Sequence, residues 1–139
     1  MSSLLRKTII VAFILIFASD LFAPSFNSFV IVSSEPVDPF RNLIHAIGRV
    51  ETKFDTLAYN PEEKAVGYFQ IRPIRVQDYN KRTGSKLRLK DMYDYNTSEK
   101  VFLYYASELG PYKFERIAKN WNGSGIRTIQ YWRQVRKYL

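Results

Sequence analysis

Beyond residue 38 the chain is organised by apolar residues that recur at helical spacing, broken by short clusters of turn-forming residues. Asp38 can cap a helix, Pro39 suits its first position, and Phe40, Leu43, Ile44 and Ile47 then fall on one face. This predicts a helix from about Pro39 to Glu51. Asp55 to Lys64 ends in Asn-Pro-Glu-Glu-Lys and reads as a surface loop, followed by Val66 to Ile71, which could pass for a short strand on propensity. A second helix is expected from near Pro73 to just before Thr83-Gly84, with a basic loop to Lys90. Asn96 followed by Glu99 has the form of a capping box, starting a helix that runs to Leu109 before Gly110-Pro111. Tyr112 to Trp121 and Thr128 to Tyr138 complete the series, separated by the turn Gly123-Ser124-Gly125. The predicted fold is mostly α.

One position breaks the apolar pattern. Glu51 continues the series of Phe40, Leu43, Ile44 and Ile47, and at about 100° per residue it lies within roughly 30° of the centre of their stripe. A carboxyl there is driven toward the core, and burial favours its protonated form. Two readings follow: a structural glutamate satisfied by a helix-end amide or an arginine, and a general acid that delivers its proton to a leaving group. Asp55, Glu62 and Glu63 are the nearest candidates for a second carboxylate, though loop capping and solubility account for them.

The N-terminal 37 residues have a different character. Arg6 and Lys7 precede the apolar run Ile9 to Ala18, which is short for a membrane span but suits a secretory signal. Leu21 and Pro24 flank Ala23 and specify a cleavage site poorly, so residues 1–23 read as a signal peptide or a membrane anchor, and residues 24–37 as a connector. The chain has 139 residues and no cysteine, which leaves one domain stabilised by packing without disulfides and removes any lipid anchor. Ten Tyr, ten Phe and two Trp supply that packing and offer faces on which sugars can stack. The net charge of +8 becomes +7 without Arg6, Lys7 and Asp20, a balance suited to an anionic partner such as a bacterial wall or membrane surface. Arg72, Arg75, Lys81, Arg82, Lys86, Arg88 and Lys90 form the densest basic cluster, which reads first as a solvated face.

Composition narrows the chemistry. His45 is the only histidine and falls on the helix flank, so with no cysteine the chain offers neither a zinc ligand set nor a Cys-His pair. No serine stands in a nucleophile elbow, and the glycines are too dispersed to cradle a phosphate. No nucleic-acid reading motif is present. Carboxylate chemistry remains, with no metal and no cofactor expected.

The residues around Glu51 carry a resemblance. Glu51-Thr52-Lys53-Phe54, then Ala58, then Gly67-Tyr68-Phe69-Gln70-Ile71-Arg72-Pro73 resembles the Glu-Ser-x-Phe, Ala and Gly-Leu-Met-Gln-Ile-x-Pro pattern of the lytic transglycosylase domain in the lysozyme-like superfamily. Asn120 to Gly125 is similar to that family's Ala-Tyr-Asn-Ala-Gly-x-Gly segment, and Tyr131-Trp132-Arg133-Gln134-Val135 to its late Tyr-Val-x-x-Val. The three matches occur in the family's order. Thr52 stands where relatives carry Ser, Asn60 where they often carry Ser, and Trp121 where they carry Tyr.

The resemblance implies a single lysozyme-like domain over residues 38–139 that cleaves the bond between N-acetylmuramic acid and N-acetylglucosamine in peptidoglycan. Glu51 takes the part of the catalytic acid. Thr52, Asn60, Tyr68, Gln70, Asn122 and Tyr131 take substrate-binding positions, with the Tyr131 hydroxyl directed toward the acid. One carboxyl suffices in that scheme, because the sugar's acetamido group acts as internal nucleophile. The expected partner is the peptidoglycan glycan strand, met by an exported, periplasmic or envelope-associated monomer, tethered if residues 1–23 are retained. A muramidase of the same fold and an inactive wall-binding module are the alternatives.

Overall fold

A computed structural model describes residues 38–139; the expected signal or anchor at 1–23 and the connector at 24–37 lie outside the described residues. Among the described residues the protein is mostly helical, with five α-helices and one two-stranded sheet. No helix among them is long and apolar enough to cross a membrane.

Helix α1 spans Arg41–Glu51 and buries Leu43, Ile44, Ala46, Ile47 and Gly48. Regular helix starts two residues later than Pro39 because residues 38–40 form a turn, in which Asp38 Oδ1 accepts the Phe40 N–H at 3.0 Å. Asp38 therefore braces the turn ahead of the helix and is not its N-cap: that position falls to Phe40, which makes no side-chain capping bond. The helix stops immediately after Glu51, where Lys53 and Phe54 both take positive φ, 55° and 74°, and the Thr52 and Phe54 amides return to the Gly48 carbonyl. Left-handed backbone costs a residue with a Cβ roughly 1–2 kcal/mol. Two in succession beside Glu51 mark a chain reversal that the surrounding packing must hold.

Strands β1 (Tyr59–Asn60) and β2 (Ala65–Val66) pair antiparallel with Tyr59 opposite Val66 and Asn60 opposite Ala65. The Asn60 side chain closes the intervening turn by accepting the Glu62 and Glu63 amides at 3.0 and 3.4 Å. The segment expected to be extended or irregular is both: Val66 bridges back to Ile71 across a tight turn. Gly67 opens that turn with φ +73°, and a Cβ there would lie 2.2 Å from the Met92 carbonyl oxygen. Only glycine fits.

Helix α2 (Pro73–Thr83) begins with its proline and ends at Gly84 in the left-handed conformation, as the sequence pattern requires. A short 3-10 helix, Leu89–Tyr93, leads into α3 (Tyr95–Leu109). The cap of α3 is Asp94, whose carboxylate accepts the Thr97 amide at 2.8 Å, two residues before the expected Asn96. Glu99 instead accepts the Tyr95 hydroxyl at 2.6 Å. Helix α4 (Phe114–Asn122) starts after Tyr112, since that residue has φ +62° and cannot join a helix. Helix α5 (Arg127–Val135) passes into a 3-10 turn at Arg136–Tyr138, where continuous helix was expected.

The core is largely aromatic. Phe69 and Phe102, both fully buried, stack with centroids 4.8 Å apart, and Trp121 meets Phe102 edge-on at 5.0 Å. The Trp121 indole N–H donates to the Phe69 carbonyl at 3.0 Å, tying the end of α4 to the Gly67–Ile71 turn. Helix α5 packs on both α4 and α1.

Close approach to α1 is set at Gly48, because the Tyr68 ring lies about 2.0 Å from where a Cβ would be. Gly48→Ala gains about 1 kcal/mol of helix propensity. It must also displace a buried aromatic ring, an overpacking cost of about 1–3 kcal/mol or more. The clash outweighs the propensity gain, so urea denaturation should show Gly48→Ala to be less stable than the parent. Equal or greater stability would mean that α1 and Tyr68 are not locked together.

Candidate active site

Glu51 is the last residue of α1, at the end of the helix's buried face. The α1–α5 packing brings Tyr131, 80 positions away, against it, and the Tyr131 hydroxyl donates to Glu51 Oε1 at 2.6 Å. Glu51 as a whole residue is half-buried while its carboxyl is enclosed, and enclosure decides its proton affinity. Desolvation raises the Glu51 pKa from 4.5 to about 7; the Tyr131 hydrogen bond opposes the rise, Glu63 adds to it, and Arg72 opposes it. Burial and the neighbouring carboxylate hold the Tyr131 hydroxyl well above its usual range, so it stays a neutral donor.

Tyr131 also lines an open groove of about 510 Å3, walled on one side by Glu63 and Arg72 and on the other by Asn122, Ser124 and Arg127. Arg72 reaches across it, with Nη1 3.8 Å from the Glu63 carboxylate and Nη2 donating to the Asn122 carbonyl at 3.5 Å. Arg75, one turn on, donates to the Asn120 and Trp121 carbonyls at 3.4 and 3.3 Å, and its guanidinium stacks on Tyr105 and Trp121. Two arginines from the start of α2 thereby satisfy the last carbonyls of α4, the groups a helix end leaves without partners.

The remaining sequence-predicted residues take distinct places. Asn122 lies in the groove wall. Gln70 adopts φ +49°, a strained conformation for a non-glycine residue, and its side-chain amide donates to the Gly67 carbonyl at 3.1 Å. The Thr52 hydroxyl is within 3.4 Å of the Gly48 carbonyl and 3.3 Å of the Tyr68 carbonyl, and the buried Tyr68 hydroxyl donates to the Ile44 carbonyl at 3.4 Å. Both hydroxyls bind backbone, linking the acid-bearing helix to the Gly67–Ile71 turn. Asn60 Oδ1 is engaged in the hairpin turn. His45 is exposed and packs on Phe54, centroids 4.9 Å apart.

The groove-forming role of Arg72, Arg127, Gln130 and Gln134 was not evident from the sequence. A signal for the last three existed: residues 127, 130, 131 and 134 share one helical face with the predicted Tyr131. The basic cluster is not a single face. Arg72 and Arg75 hold α4, Arg82 bridges Asp78 and Glu108, Arg88 pairs with Asp91, and Lys81, Lys86 and Lys90 are exposed. Among the described residues no three His, Cys, Asp or Glu side chains are grouped to hold a metal ion. No family pattern, curated protein or solved structure matches this chain.

The buried carboxyl has a thermodynamic signature. Glu51 holds its proton more tightly folded than unfolded, so its effect is absent below about pH 4.5, stability falls from there to about 7, and the deficit is constant above. The full deficit is at most on the order of 3 kcal/mol. Glu51→Gln keeps an acceptor for Tyr131 and removes the charge, so it should be more stable than the parent at pH 8, with the advantage vanishing by pH 4.5. Thermal melts of both proteins across this range check it; a pH-independent difference contradicts the assignment.

Proposed function

We propose that this chain is a peptidoglycan lytic transglycosylase, an exported envelope protein cleaving between N-acetylmuramic acid and N-acetylglucosamine. The observation that carries this reading is the Glu51 carboxyl, raised to about 7 by burial and hydrogen-bonded by Tyr131, which in turn lines an open polar groove. An acid with a pKa near neutral is half protonated at working pH, and can both give and take a proton. Residues 38–139, mostly helical with a short hairpin after the acid-bearing helix, suit the lysozyme-like architecture that the sequence resemblance implies.

In this mechanism Glu51 protonates the glycosidic oxygen as the bond to the muramyl C1 breaks. The substrate's acetamido oxygen bonds to C1 in place of the departing sugar, the substrate-assisted route of the resemblance. Glu51, now a carboxylate held by the Tyr131 hydroxyl, removes the C6 hydroxyl proton. The C6 oxygen displaces the acetamido oxygen at C1 and closes a 1,6-anhydro ring. The carboxyl is protonated again, and no water is consumed.

A muramidase is the second reading, favoured by one observation: a second carboxylate, Glu63, lines the same groove as Tyr131, and its charge adds to the rise of the Glu51 pKa. Digestion of wall sacculi in 18O-labelled water followed by mass spectrometry separates the two. Transglycosylation yields unlabelled 1,6-anhydromuramyl ends, one water lighter than the hydrolytic product. Reducing muramyl ends carrying one labelled oxygen would establish hydrolysis, and intact sacculi would remove the enzymatic reading.

Two variants assign the roles. Glu51→Gln should lower cleavage by about 10²–10⁴-fold with the fold retained. Tyr131→Phe removes the hydrogen bond that opposes the raised pKa, so the alkaline fall in activity, centred near 7 in the parent, should move to higher pH. A shift to lower pH would mean that Tyr131 does not stabilise the carboxylate.

A further inference from the structure

The groove has a feature that a neutral glycan would not need. Arg127, Gln130 and Gln134 occupy one face of α5 beside Tyr131, all exposed and all lining the groove. Among the described residues their side chains have no hydrogen-bond or ion-pair partner in the protein. Opposite them, Arg72 is occupied by Glu63 and by the Asn122 carbonyl. The three charged groups of the groove therefore leave one cation uncompensated, Arg127, next to two primary amides that can each donate and accept. A guanidinium with five donors and no acceptor pairs best with a carboxylate, and amides pair with amides.

From this arrangement we infer that the α5 face is a subsite for a carboxylate-bearing, amide-rich substituent of the glycan strand, with Arg127 holding the carboxylate and Gln130 and Gln134 the amide groups. The inference rests on the peptidoglycan reading for its ligand: the wall strand carries such a substituent in the peptide linked to its muramyl sugar. Arg127 is then the residue that separates peptide-bearing strands from bare amino-sugar polymers. Tyr131, which lines the subsite and bonds Glu51, joins it to the reacting carboxyl.

Binding rather than cleavage gives the test, because a muramyl monosaccharide has no bond for Glu51 to break. The full chain is titrated by NMR at low salt with N-acetylmuramyl dipeptide and with the same compound whose carboxylates are amidated. The free carboxylate form should bind about fivefold more tightly, the scale of one accessible charge-assisted pair. Arg127→Gln should remove that preference and leave the amidated compound unaffected, while Arg127→Lys should keep part of it. Equal binding of the two compounds by the parent would overturn the inference. So would an equal loss on both by a folded Arg127→Gln. Preference retained by a protein that leaves sacculi intact would uphold the subsite and reject the enzymatic reading instead.

Discussion

The hydrogen bond from the Tyr131 hydroxyl to Glu51 joins the last residue of one buried helical face to a helix 80 positions away, and it is made to a carboxyl that desolvation has pushed up to about 7. A carboxyl taken from water without a partner is costly, whether it stays ionised or neutralises. One neutral donor lowers that cost without abolishing the shift, since desolvation remains the larger effect. An arginine in direct contact would have fixed the glutamate as a permanent carboxylate. Arg72, whose charge does act on it, has its guanidinium shared between Glu63 and the α4 carbonyl end, and lowers the Glu51 pKa only as the smallest of the four influences. The result is a proton that can be exchanged near neutral pH.

Much of the surrounding structure holds this pair in place. Gly48 lets the Tyr68 ring lie directly on α1, and Gly67 lets the following turn approach the Met92 carbonyl. Thr52, the residue after the acid, binds the Tyr68 carbonyl and so ties the end of α1 to the same turn. Arg72 and Arg75 satisfy the carbonyl end of α4, which fixes Asn122 in the groove wall and the start of the loop leading to α5. Lys53 and Phe54, two of the five non-glycine residues with positive φ among the described residues, reverse the chain directly after the acid. Strain at that point fits a helix end whose geometry is imposed by tertiary packing.

What the sequence made legible was local. The helical period exposed Glu51 as an acid on an apolar stripe, and the expected bounds of α2 held to within a residue, Thr83 being its last, because each signal acts within a turn or two. Two acceptable caps stand near the start of α3, and periodicity does not choose between Asp94 and Asn96; the carboxylate at 94 reaches the Thr97 amide. Tyr112 matches a helical pattern in type yet takes a left-handed conformation after Gly110-Pro111. Partner identity was the least readable property. No spacing rule pairs residue 51 with residue 131, and only the family resemblance suggested it. The seven basic residues between 72 and 90 resemble one surface in sequence, but folding sends their arginines to three different tasks and leaves the lysines in water.

Burial, moderated by a single hydroxyl, sets the proton affinity of Glu51. The most direct measurement is NMR titration of its side-chain carboxyl carbon in the folded protein, assigned by its loss in Glu51→Gln. A midpoint of about 7 is expected. A midpoint at or below 4.5, that of an ordinary exposed glutamate, would contradict it.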